Sequence, residues 1–381
     1  MKLLCIGGGV ASVFCAIKTK LEHPTYDVTI LESDKRILKR ILVSGNGRSN
    51  FFNSSFISNV NSSCFSSSKY NCFFSLKDAL NLLAFLNKEL HFKFFTDASN
   101  RMYPFANTSE SLYNVLINKI KQLNIDVITE CKVTKIDYSK HLIKTSTKDY
   151  SFDKLYLGIG GISYDRNKKD YNDLLSSLDL KLDKQSPALC PLVVKEKIPS
   201  FLVGTRIKGT VSLLKDNKEI YQEEGELLFK KDGLSGILIF NCSFFIDDEH
   251  NNRYTIRFNP FIHDNEDIMF NSINVDELNG LLSSNVIKYL INDNKNMMIK
   301  KEISYEYILQ KFAFNVAKKY DYKDSQITLG GISLDEINSN FSLKKYPLIY
   351  VGGEEISLHG ICGGFNIGLA MLEGLKVSID E

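Results

Sequence analysis

The first thirty-two residues constrain the fold of this chain more than any other stretch. Lys2 to Ile6 is a short apolar run, Gly7 to Gly9 a glycine triplet, Val10 to Lys20 a segment of helical periodicity, and Asp27 to Leu31 a second apolar run ending at Glu32. Strand, glycine turn, helix, strand and acid, in that order, is the pattern of a βαβ unit that holds a dinucleotide. Gly7 permits the tight turn, and Gly9 lets the backbone approach a pyrophosphate at the helix N-terminus, where free amides and the helix dipole favour an anion. Glu32 is placed to accept hydrogen bonds from a ribose hydroxyl pair. Ser12 stands where glycine or alanine is expected for close packing of helix on strand. Its hydroxyl predicts on the order of 1 kcal/mol of overpacking, relieved by a slight shift of the helix.

The same opening also has the outline of a short secretory or lipoprotein leader, with Lys2 followed by apolar residues to Cys15. The glycine triplet breaks the apolar helix that a leader needs, and a second regular element follows, so the folded reading is preferred.

Composition narrows the class. At 381 residues, 44% apolar and 24% charged, the chain is long and apolar enough for a large core, and disorder through low hydrophobicity is excluded. Its length predicts two or three domains. No run reaches the 18 apolar residues of a membrane-spanning helix, so no membrane association is expected. Forty-seven Lys and Arg against 45 Asp and Glu leave +2, which gives no bulk attraction for a polyanion, although Lys35 to Arg48 and Arg166 to Lys169 are locally basic. The eight cysteines are scattered, without a CxxC pair or histidines at zinc spacing. They predict reduced thiols in a cytoplasmic protein, with neither a disulfide framework nor a metal site.

Further along, Asn53 to Asn71 is rich in Ser and Asn and reads as a surface excursion or mobile loop. Helices are expected over Leu76 to Leu90 and Ser109 to Leu123, strands over Ile125 to Ile128, Lys132 to Ile136, Leu142 to Ser146 and Lys154 to Leu157, the last leading into Gly158, Gly160 and Gly161. From Pro187, short strands at barrel or sandwich spacing are expected, Ile237 to Cys242 among them, followed by helices from about Asp276 to Lys319. Strand, strand and helix return over Gln326 to Ser333, Leu348 to Val351 and Gly364 to Lys376.

Segments in order along the chain then resemble one bacterial flavoprotein family. They are Ile6 to Ser12 with Leu31 and Glu32, Leu42 to Asn53 (LVSGNGRSNFFN), Arg101 to Phe105, Leu157 to Tyr164, Ser186 to Leu192 with Gly225 to Gly236, Ile327 to Ile332, and Tyr350 to Ala370. The sequence is similar to the HI0933-like, BaiN and aminoacetone-oxidase type FAD-binding proteins. The resemblance implies an α/β fold: a glutathione-reductase-like Rossmann FAD domain, residues 1–185 and 326–381, interrupted by an inserted β-barrel and helical domain, residues 186–325. It implies that Gly7, Gly8, Gly9, Val10, Ala11 and Ser12 face the pyrophosphate and Glu32 the adenosine ribose, with Val133 meeting adenine through its backbone. Lys39, Ser44, Gly45, Asn46, Gly47, Arg48 and Asn50 are implied around the ribityl and pyrophosphate region, and Gly160 and Gly161 where strand meets ligand. Gly353 and Glu354 are implied to receive ribityl hydroxyls, and Gly363, Gly364, Phe365 and Asn366 to set a helix N-terminus against the flavin. The chain departs from the family at Asp165 to Tyr171, where a glycine-rich run is usual, and at Ser49, Phe52 and Phe365, which stand for Cys, Thr and Tyr.

For Arg48, a ligand or loop-ordering role is preferred to that of a solvated turn cation. His359, five residues from Glu354 and four from Gly363, is the first candidate for proton transfer, against the ordinary reading of a surface histidine. Cys362 is the second candidate, although without a partner cysteine a packed thiol is the simpler reading. The expected activity is that of an FAD-dependent oxidoreductase, which exchanges a hydride between flavin and a small-molecule substrate, or with NAD(P)H as a transient reductant. Two alternatives are an RNA-modifying flavoenzyme that reduces a base in rRNA or tRNA, which near-neutral charge disfavours, and a non-catalytic FAD-binding protein.

Overall fold

Parallel strands run through the part of the chain that the glycine turn opens. The computed structural model describes every residue except 59–61, 164–167, 264–265, 268–269, 292–301 and 380–381. Its elements include β1 (Lys2–Ile6), α1 (Val10–Glu22), β2 (Asp27–Leu31), α2 (Lys39–Val43), α3 (Leu76–Lys88), α4 (Ser109–Gln122), β3 (Asp126–Ile128), β4 (Lys154–Leu157), β5 (Ile349–Val351) and α5 (Phe365–Lys376). The five strands form one sheet in the order β5–β4–β1–β2–β3, with every pairing parallel. Leu3, Leu4 and Cys5 are buried on both faces, which is why β1 reads as an unbroken apolar run rather than an alternating one. The chain builds outward from β1 through β2 to β3 and then returns to the other side of β1 as β4. That reversal opens a crevice at the carboxyl ends of β1 and β4, where open α/β sheets bind ligands.

Local chemistry sets the helix ends. Thr108 caps α4 by accepting the Glu110 amide, and Ser75 and Asp78 cap α3 reciprocally, with the Ser75 amide 2.8 Å from the Asp78 carboxylate. The 53–71 stretch departs from the reading as a mobile loop. Phe56, Phe65 and Tyr70 are buried there, and the Phe65 and Tyr70 rings stack at 4.1 Å. Burial of these three aromatic side chains anchors the described parts of the stretch, 53–58 and 62–71.

The chain divides into two compact units, Met1–Gln185 with Thr328–Glu381, and Ser186–Ile327. In the second unit six strands close into a barrel: Leu192–Val194, Gly233–Ser235, Lys218–Lys230, Arg206–Lys215, Tyr254–Asn259 and Ala313–Lys319. Two expectations fail here. Ile237–Phe244 is a helix, because a run that is apolar all round does not distinguish a buried helix from a buried strand, and Gly236 starts it at φ +99°. Ala313–Lys319 is a strand rather than helix, with Phe314 and Val316 inward and alternate residues outward, paired with Tyr254–Asn259.

Candidate functional site

At the end of β1 the backbone turns through Gly7 at φ +89°. A Cβ there would sit 2.2 Å from the Gly158 carbonyl oxygen at the end of β4. The Gly8 amide donates to Glu32 Oε2 at 2.7 Å, and the Asp34 amide donates to Glu32 Oε1 at 2.8 Å. Glu32 is therefore buried and held against the glycine turn. Gly9 is exposed and extended, and the helix it opens has neither a side-chain cap nor an acid in its first turn. The amides at Val10, Ala11 and Ser12 thus begin a helix with neither a capping side chain nor a first-turn acid to satisfy them.

Ser12 is accommodated differently from the expectation. A Cβ on Gly158 would lie 2.0 Å from Ser12 Oγ, so the glycine at 158 makes the room, and the hydroxyl is buried without a hydrogen-bond partner among the described residues. Ser12→Ala is expected to leave stability unchanged or raise it by about 1 kcal/mol, because an unsatisfied buried hydroxyl is removed. Urea midpoints of the two proteins measure this. A loss above 1 kcal/mol would show that the hydroxyl has a partner.

The loop after α2 is strained. Gly45 and Asn46 have φ +55° and Ser49 +54°, with Gly47 at +80°. Ser44 Oγ donates to the Ile41 carbonyl at 2.7 Å. Arg48 donates through Nε to Asn107 Oδ1 at 2.7 Å, and its guanidinium lies 4.2 Å from the Tyr103 ring centre, contacts that order the loop. The loop also reaches α5: Asn53 donates to the Gly363 carbonyl at 2.9 Å, and Asn50, with its side-chain amide turned so that both ends find partners, accepts the Gly364 amide at 3.2 Å. Gly364, at φ +92°, opens α5, again without a side-chain cap or a first-turn acid. Phe365 packs its ring against Phe56 and Phe65. Asn366 clamps Gly360, accepting its amide and donating to its carbonyl.

The strand ends beyond the crevice carry acids that sequence reasoning missed. The amides of Ile159 and Gly160 donate to Glu355 at 3.1 and 3.0 Å, and the Gly353 amide donates to Glu373 at 2.6 Å. Both carboxyls are fully buried. Burial pushes Glu355 up to about 8, against the pull of its amide donors, and pushes Glu373 up as well. Glu354 meets Arg40 instead, and it fills the space a Cβ on Gly161 would need, 2.1 Å from that atom. Lys39 points outward to Asp34. Val133 starts the strand Val133–Asp137, two residues beyond Cys131, whose amide donates to the Glu32 carbonyl at 2.8 Å.

His359 is buried, not a surface residue, with Nε2 3.0 Å from the Gly330 carbonyl. Burial lowers its pKa, so the ring is neutral at pH 7, with Nε2–H donating and Nδ1 left as the acceptor nitrogen. Cys362 is half-buried, and among the described residues none of the cysteines is joined in a disulfide. Asp165 to Asn167 of the divergent run lie outside the described residues. Asp247, Glu249 and His250 cluster on the surface of the second unit, where His250 bonds Asp247 at 2.8 Å.

The sequence matches a known family, the HI0933-like protein Rossmann domain, over residues 1–378. The chain belongs to that family. As a member it is an FAD-dependent oxidoreductase. A curated relative, the 3-dehydro-bile acid delta(4,6)-reductase of Clostridium scindens, is 22% identical and covers 97% of this chain and 96% of its own. Among solved structures, 3-ketosteroid delta1-dehydrogenase from Sterolibacterium denitrificans superposes with a TM-score of 0.53 at 10% identity, over 98% of each chain, a likeness of fold. Among the described residues no helix is long and apolar enough to cross a membrane.

Proposed function

We propose that the crevice at the carboxyl ends of β1 and β4 holds FAD, and that the enzyme reduces a carbon–carbon double bond conjugated to a carbonyl in a small, largely apolar substrate. NAD(P)H would supply the electrons, in the cytoplasm. The observation that carries the cofactor reading is the pair of uncapped helix N-termini, α1 and α5, each opened by a glycine and each free of first-turn acids. The residues present fit an extended dinucleotide. Gly7 and Gly158 bring two strand ends within a distance no side chain allows, and Glu32 stands beside that turn as a hydroxyl acceptor. The relative's reductase activity on a 3-dehydro-bile acid supports the substrate class.

When bound, the flavin supplies two-electron hydride chemistry. The chain supplies position and charge. The amides of α1 receive a pyrophosphate, Glu32 accepts from a ribose, and the N-terminus of α5 favours negative charge placed against it. His359, neutral and with its Nε2 proton committed to Gly330, serves as an acceptor at Nδ1 or as a brace rather than as an acid. The test is anaerobic. The purified protein should show flavin absorbance, release FAD on denaturation, bleach with NADH or NADPH, and regain colour with a 3-oxo-4-ene steroid but not with its saturated ketone. Reduced protein that no conjugated enone reoxidises would sink the substrate class.

A further inference from the structure

Of the cations between residues 35 and 48, Lys35, Arg36, Lys39 and Arg48 are exposed, and only Arg40 is carried inward to the strand ends. Its helix is tied to the glycine turn, because the Leu38 amide donates to the Gly8 carbonyl at 2.8 Å and Ile37 fills the space above Gly8. From there Arg40 Nη1 pairs with Glu354 Oε2, just past β5, while Nη2 donates to the carbonyl and hydroxyl of Ser163, past β4, at 3.2 and 3.1 Å. Glu354 Oε1 accepts from Ser163 Oγ at 3.1 Å and from the Thr328 amide at 2.8 Å. One guanidinium therefore joins segments that follow β2, β4 and β5.

Two acids mark the strand ends: Glu32 at the glycine turn, and Glu354, the partner of Arg40, past β5. A pyrophosphate carries two more negative charges. A carboxylate only 15% exposed and left without its cation would repel that group strongly, whereas the paired carboxylate is close to neutral and fixed in orientation.

We infer that Arg40 is a positioning residue for the cofactor, acting through Glu354: it neutralises and orients that carboxylate so that an anionic dinucleotide binds along the strand ends past it. This rests on the FAD reading above. The test is a double-mutant cycle on FAD affinity, followed by flavin fluorescence quenching on protein stripped of cofactor, with Arg40→Gln, Glu354→Gln and the double variant. Arg40→Gln should weaken FAD by about tenfold or more. In the Glu354→Gln background the same change should cost less than about threefold, because no uncompensated carboxylate remains. Arg40→Lys should recover part of the loss, since lysine keeps the charge but not the forked donors. If Arg40→Gln fails to fold, the comparison of Glu354→Gln with the double variant decides. A tenfold loss that persists without Glu354, or a drop in melting temperature with unchanged FAD affinity, overturns the inference. A parent chain that takes up no FAD overturns the reading beneath it.

Discussion

Gly7→Val is expected to yield a chain without flavin and with its stability lowered by several kcal/mol. A Cβ at residue 7 meets the carbonyl oxygen of Gly158 at 2.2 Å and its carbon at 2.8 Å, and both are backbone atoms at the end of β4. No rotamer change relieves such a contact. The φ of +89° adds about 1 to 2 kcal/mol for any residue with a Cβ, more for a branched one. Relief requires β1 and β4 to separate at the crevice, which moves the uncapped start of α1 away from the position where its amides converge. Gly204→Ala is the control, since Gly204 shares the positive φ, at +85°, has nothing within 4 Å of the added atom and is not among the residues implied in cofactor binding. That variant should lose only about 1 kcal/mol and keep its flavin. Urea midpoints and the flavin released on denaturation read both effects. Equal flavin content in Gly7→Val and the parent would mean that the close approach of the two strands is not what forms the site.

The contrast between those glycines shows what the sequence made legible. Spacing alone located the turn, α1, β2 and Glu32, because a glycine turn between apolar strands admits few folds. It did not reveal which of two adjacent residues would face the crevice. Lys39 and Arg40 are neighbours on a helix, about 100° apart around its axis, so one reaches Asp34 and the other Glu354. The Glu354 and Glu355 pair follows a glycine at φ +111°, where the direction of each side chain depends on backbone torsions that composition does not encode. Glu373 was hidden for another reason. An acid in a helix usually marks the solvent face, and only the packing of α5 on α1, with Gly374 against Ala11, turns this one inward. The Ile237–Phe244 helix and the Ala313–Lys319 strand were misread because short apolar runs fit both periods, and partners distant in sequence decide between them.

Glu355 predicts an unusual pH dependence of stability. Burial raises its carboxyl from 4.5 to about 8, with the charge of Glu354 adding to the effect and the amides of Gly160 and Ile159 opposing it. Glu373, the other buried acid near it, is pushed the same way by burial and then by Glu355 itself. Between pH 4.5 and 8 the folded protein holds a proton on Glu355 that the unfolded chain has released. Its contribution is therefore complete below pH 4.5 and is lost as the pH rises through about 8. The slope approaches 1.4 kcal/mol per pH unit for one such group, which amounts to several kcal/mol across the window. Asp78 acts oppositely: burial pushes it up, but hydrogen bonds from Lys376 and Ser75 hold it below its ordinary value, so its support is lost only in stronger acid. Maximum stability should therefore fall near pH 5. In Glu355→Gln the amide carries no proton to lose, so the decline between pH 5 and 8 should become shallower, what remains of it belonging to Glu373. The variant should be about 1 kcal/mol weaker at pH 5, where one amide bond is missing, and stronger than the parent at pH 8. Urea denaturation of both proteins at pH 5, 6, 7 and 8 measures the two slopes. A parent whose stability holds level or rises over that range, or a variant that declines in parallel, would show that Glu355 is ionised in the folded protein and is compensated by its amide donors alone.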